Sequence, residues 1–91
     1  GPDVTDPPAV ARVTLAAGPT DVAVVASNVG GGAAVAGHEL RTGRPLWYQP
    51  LTASAAGPAV VSGTRAFVPL RDAEGSVLEF DLATGQRVGR I

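Results

Sequence analysis

Cysteine is absent from the 91 residues, so this chain has no disulfide, no thiolate nucleophile and no cysteine-type metal site. That fits a reducing compartment, and equally an exported protein built without disulfides. Lysine is absent too. All seven basic residues are arginine, which reads as coding bias of the source and not as phosphate recognition. With a net charge of −1 there is no electrostatic case for nucleic acid or an anionic membrane surface. Trp, Tyr and Phe together number four, too few to line a sugar or nucleotide platform. No apolar run approaches the ~20 residues of a membrane span, so this segment inserts into no membrane. No stretch reads as a signal peptide. No ten-residue window shows a 3.6-residue period with caps, so helix signals are missing. Gly1-Pro2 reads as the scar of a protease-cleaved tag. That leaves the natural start, and any exported leader, outside this stretch, and an extracytoplasmic setting is preferred to a cytoplasmic one.

What the chain does have is turns and small β-branched residues. Gly (12) and Pro (8) are abundant, and valine and alanine dominate the apolar set. Residues 1–9 are a Pro-rich lead-in holding Pro2, Pro7 and Pro8. Strands are expected at 10–16 and 22–26, with a turn at Gly18-Pro19-Thr20-Asp21 between them. Residues 28–32 hold three consecutive glycines and read as a flexible hairpin loop. Their spacing matches no phosphate-cradling loop, because no Lys-Ser or Lys-Thr follows and no helix begins. Further strands are expected at 33–40 and 44–49. Pro45 in the latter marks an edge strand or a bulge, because proline cannot donate to a ladder. Residues 49–57 connect to strands at 58–62, 65–70, 76–82 and 86–91. Pro69 marks a bulge or strand exit, and 71–75 is a polar loop.

The chain is organised around residues 77–91, a strand, a Gly turn and a second strand, with a fainter copy at 35–48. Asp81 ends one strand and Gly85 opens the next. A type I turn followed by a residue at positive φ fits this spacing. Asp81 can accept from backbone N–H groups two or three residues on, and Thr84 can do so more weakly. Glu39, Leu40, Arg41, Thr42 and Gly43 repeat the order. Aligning the two Thr-Gly pairs gives an offset of 42 residues, with Leu46 level with Val88 and Trp47 level with Gly89. A period in this range with four strands per unit is that of propeller blades.

The stretch Glu39-Leu40-Arg41-Thr42-Gly43-Arg44-Pro45-Leu46-Trp47 resembles the tryptophan-docking motif of pyrroloquinoline-quinone-type (PQQ-type) β-propeller repeats, Ala-x-Asp-x-x-Thr-Gly-Lys-x-x-Trp. Phe80-Asp81-Leu82-Ala83-Thr84-Gly85-Gln86-Arg87-Val88-Gly89 is similar. Two departures stand out in this second copy: Glu79 at the small Ala position and Gly89 at the Trp. In the first copy Gly37 fills the Ala position and Glu39 replaces the Asp. The resemblance implies that Trp47 packs between blades. It points to an all-β fold of two four-stranded antiparallel β-propeller blades, one over 10–50 and one over 51–91. An eight-stranded β-sandwich is the alternative. Two blades close no ring, because propellers have at least four. The piece therefore either belongs to a longer propeller or associates with identical copies to complete one.

No residue set amounts to an active site. His38 is the one histidine, and a zinc site needs three or four ligands. Asp72, Glu74, Glu79 and Asp81 gather acid around one loop without the ligand rhythm of an EF-hand. Arg65, Arg71, Arg87 and Arg90 are near enough to neutralise it as surface ion pairs. No two carboxylates are fixed across a cleft for glycoside chemistry. The expectation is a non-catalytic propeller segment of a larger bacterial protein, binding a protein partner or sensing. The family includes lipoproteins that assist outer-membrane assembly and sensor domains of serine/threonine kinases. The structural motif is Glu39, Thr42, Gly43, Trp47, Asp81, Thr84 and Gly85, and Asp72 and Glu74 form a candidate interaction loop. No cofactor is expected. Two alternatives stay open: a fragment of a quinone-dependent dehydrogenase, for which no residues here match the cofactor or calcium ligands, and a small-ligand sensor.

Overall fold

The computed structural model describes residues 9–29 and 32–90. Eight strands follow one another: β1 (Ala9–Leu15), β2 (Gly18–Val29), β3 (Gly32–Glu39), β4 (Pro45–Pro50), β5 (Val60–Ser62), β6 (Arg65–Pro69), β7 (Val77–Asp81) and β8 (Arg87–Arg90). They form two four-stranded antiparallel sheets, β1-β2-β3-β4 and β5-β6-β7-β8. Each sheet is an up-and-down meander of consecutive strands. Among the described residues no helix is long and apolar enough to cross a membrane. The two sheets approach each other at their first strands, β1 and β5.

The core lies between the sheets, and strand alternation explains its membership. In β6 and β7 every second residue is buried, Ala66 and Val68 on one strand and Leu78 and Phe80 on the other. Pairing sets Ala66 opposite Phe80 and Val68 opposite Leu78, so all four share a face. In the first sheet Val24, Gly37 and Trp47 stand in one row across β2, β3 and β4. Val22, Val24, Val35 and Trp47 join the four residues of the second sheet in one buried cluster.

Strand pairing also reproduces the repeat. A register shift falls between Gly37 and His38 in the first sheet and between Glu79 and Phe80 in the second. Trp47 is opposite Gly37 as Gly89 is opposite Glu79, and Pro45 is opposite His38 as Arg87 is opposite Phe80. Pro45 therefore sits on an edge strand beside a bulge. The period is not uniform, however. Leu40 N–H donates to the Asp21 carbonyl and Leu82 N–H to that of Thr64, which sets β6 at 43 residues from β2. The pair Ala11–Val22 then corresponds to Ser62–Arg65, and the first hairpin runs on for four more pairs, Arg12–Asp21 to Leu15–Gly18.

That extension corrects two sequence expectations. The four residues Gly18-Pro19-Thr20-Asp21 are strand, and the turn is Ala16-Ala17. Gly18 takes φ 111° directly after it. Pro19 is tolerated because β3 pairs with β2 only from Val22 onward, so no ladder bond is wanted there. Likewise Asn28 and Val29 continue β2 and Gly32 opens β3, so three residues of the expected loop at 28–32 are strand and the other two are residues 30 and 31. Those two lie outside the described residues, as do residue 91 and all of the Pro-rich lead-in except Ala9, which opens β1.

Asn28 is one polar tie between the sheets. Its side-chain amide donates to the Ala55 carbonyl (3.2 Å) and its oxygen accepts from the Ala55 N–H (2.9 Å). Ala55 is buried and bridges to Leu70 in the second sheet. The amide thus completes, with a side chain, the pairing that a strand would otherwise supply. Asn28→Ala leaves the Ala55 N–H without its acceptor. A loss of about 1–3 kcal/mol in the unfolding free energy from urea titration is expected. An unchanged midpoint would show that the seam does not depend on this amide.

Candidate functional site

The seam between the sheets is built around the Trp47 indole. Its ring lies between two glycines: a Cβ added at Gly37 or at Gly85 would overlap the indole. The indole N–H donates to the Leu82 carbonyl at 2.8 Å, and the ring stacks on Phe80 with centroids 6.4 Å apart and planes 17° from parallel. Trp47 is 8% exposed, Phe80 1% and Leu82 fully buried. A buried indole N–H needs an acceptor, and the turn carbonyl supplies it.

The Gly85 turn that receives the indole and the Gly43 turn that precedes β4 share a hydrogen-bond scheme. Gly43 N–H donates to Glu39 and Gly85 N–H to Asp81, while Glu39 N–H donates to Arg44 and Asp81 N–H to Gln86. Thr42 Oγ1 accepts from Arg44 N–H and Thr84 Oγ1 from Gln86 N–H, both at 3.2 Å. Both glycines have φ 75°. The acids differ in reach. Asp81 Oδ1 accepts from Ala83 N–H (2.8 Å) and Thr84 N–H (3.2 Å), whereas the longer Glu39 accepts from the Thr42 hydroxyl.

The four acids expected around one loop separate. Glu79 and Asp81 lie on β7 beside Arg65, whose guanidinium reaches Glu79 at 3.5 Å and Asp81 at 3.7 Å. Asp72 and Glu74 stay in the loop 71–76. There Asp72 Oδ1 accepts from Ser76 N–H at 2.8 Å, and Glu74 is exposed. Asp72 therefore shapes the loop while Glu74 is presented by it. Among the described residues no three His, Asp or Glu side chains converge to hold a metal ion. His38 is half-buried on β3, level with Phe80.

A shallow hollow of about 250 Å3 lies at the extended hairpin, lined by Arg12, Pro19, Thr20, Asp21, Glu39 and Arg41. Arg12 grips Asp21 through two bonds of 2.9 and 3.2 Å. The bond from Arg12 holds the Asp21 carboxyl below its ordinary range, and Arg12 is raised in turn. This pair and the Asn28 tie were not legible in sequence, because both depend on strand register.

No protein-family model and no curated protein sequence matches this chain. Among solved structures it is similar to the crystal structure of BamB from Moraxella catarrhalis, a β-propeller, with 27% sequence identity and a TM-score of 0.65 over 77% of this chain. The match covers 20% of that chain, so this one spans about a fifth of the protein it resembles. Together with the meander order of each sheet, the likeness establishes an all-β, propeller-like fold and sets aside the eight-stranded sandwich.

Two expected outcomes follow from the seam and the hollow. Gly43→Ala and Gly85→Ala impose the same backbone penalty, about 1–2 kcal/mol, because both positions have φ 75°. Only the second also drives a methyl into the indole. Gly85→Ala is therefore expected to lower the melting temperature well beyond Gly43→Ala, and equal losses would show that the ring is not seated on Gly85. A depressed carboxyl stabilises the fold at neutral pH, and that contribution is lost as pH falls through its folded-state pKa. For Asp21 the loss falls below the ordinary carboxylate range. Arg12→Gln is expected to flatten this acid limb of the melting curve slightly, as suits an exposed pair.

Proposed function

We propose that the chain is two consecutive blades of a PQQ-type β-propeller, residues 10–50 and 51–91, and that it serves as a non-catalytic protein-interaction segment of a larger bacterial protein. The observation that carries this reading is the indole seated between Gly37 and Gly85 with its N–H on the Leu82 carbonyl. It locks one four-stranded sheet onto the next in the manner that propeller repeats require, and the likeness to BamB supports the same reading. The polar side chains that the two turns share are consumed in shaping the turns themselves, which leaves the connecting loops to make contacts.

The quinone-dehydrogenase reading fits poorly. A quinone with calcium requires oxygen ligands that converge on the cation, and the four acids here divide between a β7 ion pair and a separate loop. The largest aromatic side chain, Trp47, is occupied inside the seam. A preparation that retains a quinone chromophore after desalting would restore that reading.

The loop 71–76 is the contact surface of choice, with Glu74 exposed at its tip and Asp72 holding its shape. A photo-crosslinking residue placed at Glu74 in the full parent protein is expected to give one discrete protein adduct in cells. The same residue at Tyr48, 67% exposed on another face, is expected to give a different pattern. Glu74→Lys should abolish the adduct partner's co-purification while the protein stays folded. Adducts indifferent to position, or capture unaffected by Glu74→Lys, would count against this loop.

A further inference from the structure

The first hairpin runs four residue pairs past the point where its counterpart in the second sheet closes, at Ser62–Arg65. Packing accounts for one side of that extension. Val13 is buried, and Leu15 lies against the core cluster. Strand alternation turns Arg12, Pro19 and Asp21 to the other side. There they wall the hollow of about 250 Å3 that Thr20, Glu39 and Arg41 complete. The second sheet has no extension to build such a wall.

Along this hollow the edge of β2 is an unfinished ladder. Pairing of β2 with β3 begins at Val22–Glu39, and the Asp21 carbonyl accepts from Leu40 N–H just beyond it. In an antiparallel strand the N–H and C=O of one residue point to the same side, and successive residues alternate. The Asp21 N–H and the Pro19 carbonyl therefore both point away from β1, to the side where β3 has ended. Among the described residues, neither finds a partner in the turn or in a side chain. Pro19 has no N–H to offer. The open edge is thus one acceptor and one donor, two residues apart. An extended chain laid beside Thr20 satisfies both, donating one N–H to Pro19 and accepting one from Asp21.

Charge decides what that chain carries. Arg12 is engaged with Asp21 at 2.9 and 3.2 Å. Glu39 is held by the Thr42 hydroxyl and by Arg44 at 3.8 Å. Arg41 is exposed and, among the described residues, joins no ion pair. Both carboxylates of the hollow have their counter-charge, and one guanidinium is left over. A carboxylate brought here meets a planar fork of donors that no other group uses. A cation meets only acids that are already neutralised.

We propose that the notch between the extended hairpin and the turn at 39–41 binds an extended acidic peptide segment, its backbone pairing with β2 at Pro19 and Asp21 and its aspartate or glutamate carboxylate resting on the Arg41 guanidinium. The two backbone groups select a peptide over a free acid, which engages Arg41 and leaves both unpaired. The notch is separate from the loop 71–76 and acts independently of it.

The test is amide NMR of the full chain titrated with acetyl-Val-Glu-Val-amide. Saturating shifts centred on Thr20, Asp21 and Arg41 are expected. Replacing Glu by Gln in the peptide should weaken binding on the order of tenfold, and so should methylating its backbone nitrogens. Sodium propionate should bind more weakly than the peptide. Arg41→Gln, an exposed change whose fold is checked by its melting curve, should bind the Glu and Gln peptides equally. Shifts that are absent or scattered, or equal binding of the two peptides by the parent, overturn the site. Discrimination that survives Arg41→Gln overturns the role of Arg41. A methylated peptide that binds undiminished overturns the backbone pairing, and propionate that binds as tightly as the peptide overturns the peptide as occupant. None of these results bears on the loop 71–76, which crosslinking at Glu74 tests.

Discussion

One indole holds this structure together. Trp47 comes from the last strand of the first sheet, yet the carbonyl that receives its N–H and one of the glycines that flank it belong to the second. The sheets have little else of size to share. Their facing surfaces are mostly valine, alanine and leucine, with Phe80 the one other large ring in the buried cluster. Small side chains bury little area each, at about 25 cal/mol per Å2. A large aromatic with a fixed donor therefore sets both the spacing and the angle of the seam. The glycines follow from that: the ring sits where Cβ atoms at Gly37 and Gly85 would be.

Much of the fold was legible because its signals are local. Alternation marks β6 and β7, and the Thr-Gly turns mark where each second hairpin folds back. The resemblance of the first turn to a tryptophan-docking motif anticipated the place of Trp47. What sequence did not yield depends on register. Gly18-Pro19-Thr20-Asp21 has turn composition, but the ladder to β1 holds it extended. Asn28 stands before a glycine run, and its partner lies 27 residues away. Arg65 was expected near the four acids, but its choice of Glu79 and Asp81 comes from β6 and β7 bringing it opposite Asp81. The Leu82 carbonyl is invisible for a simpler reason: every residue has one, and only the turn makes this one an acceptor.

The 42-residue period is carried by the Gly turns and the bulges, and it relaxes elsewhere. Both bulges, both Gly turns and their bonds keep that offset. The first hairpin is four residue pairs longer in one sheet than in the other. This is what a repeat under packing constraint should show. A residue inserted next to the ring would flip alternate side chains to the wrong face, whereas a pair added at a hairpin tip leaves register intact.

The same reasoning explains why the two ends of the pair differ. In the second sheet, three positions that correspond to Val22, Gly37 and Trp47 hold Arg65, Glu79 and Gly89. One exchange alone would be costly: a carboxylate beneath an indole, or an arginine against an apolar neighbour, has no polar partner. Made together they are consistent, because loss of the ring opens room for the carboxylate and the arginine neutralises it at the surface. The result is a sheet face that water can wet, at the opposite end from one lined by valine and alanine. A chain with one wetted end and one apolar end has a direction.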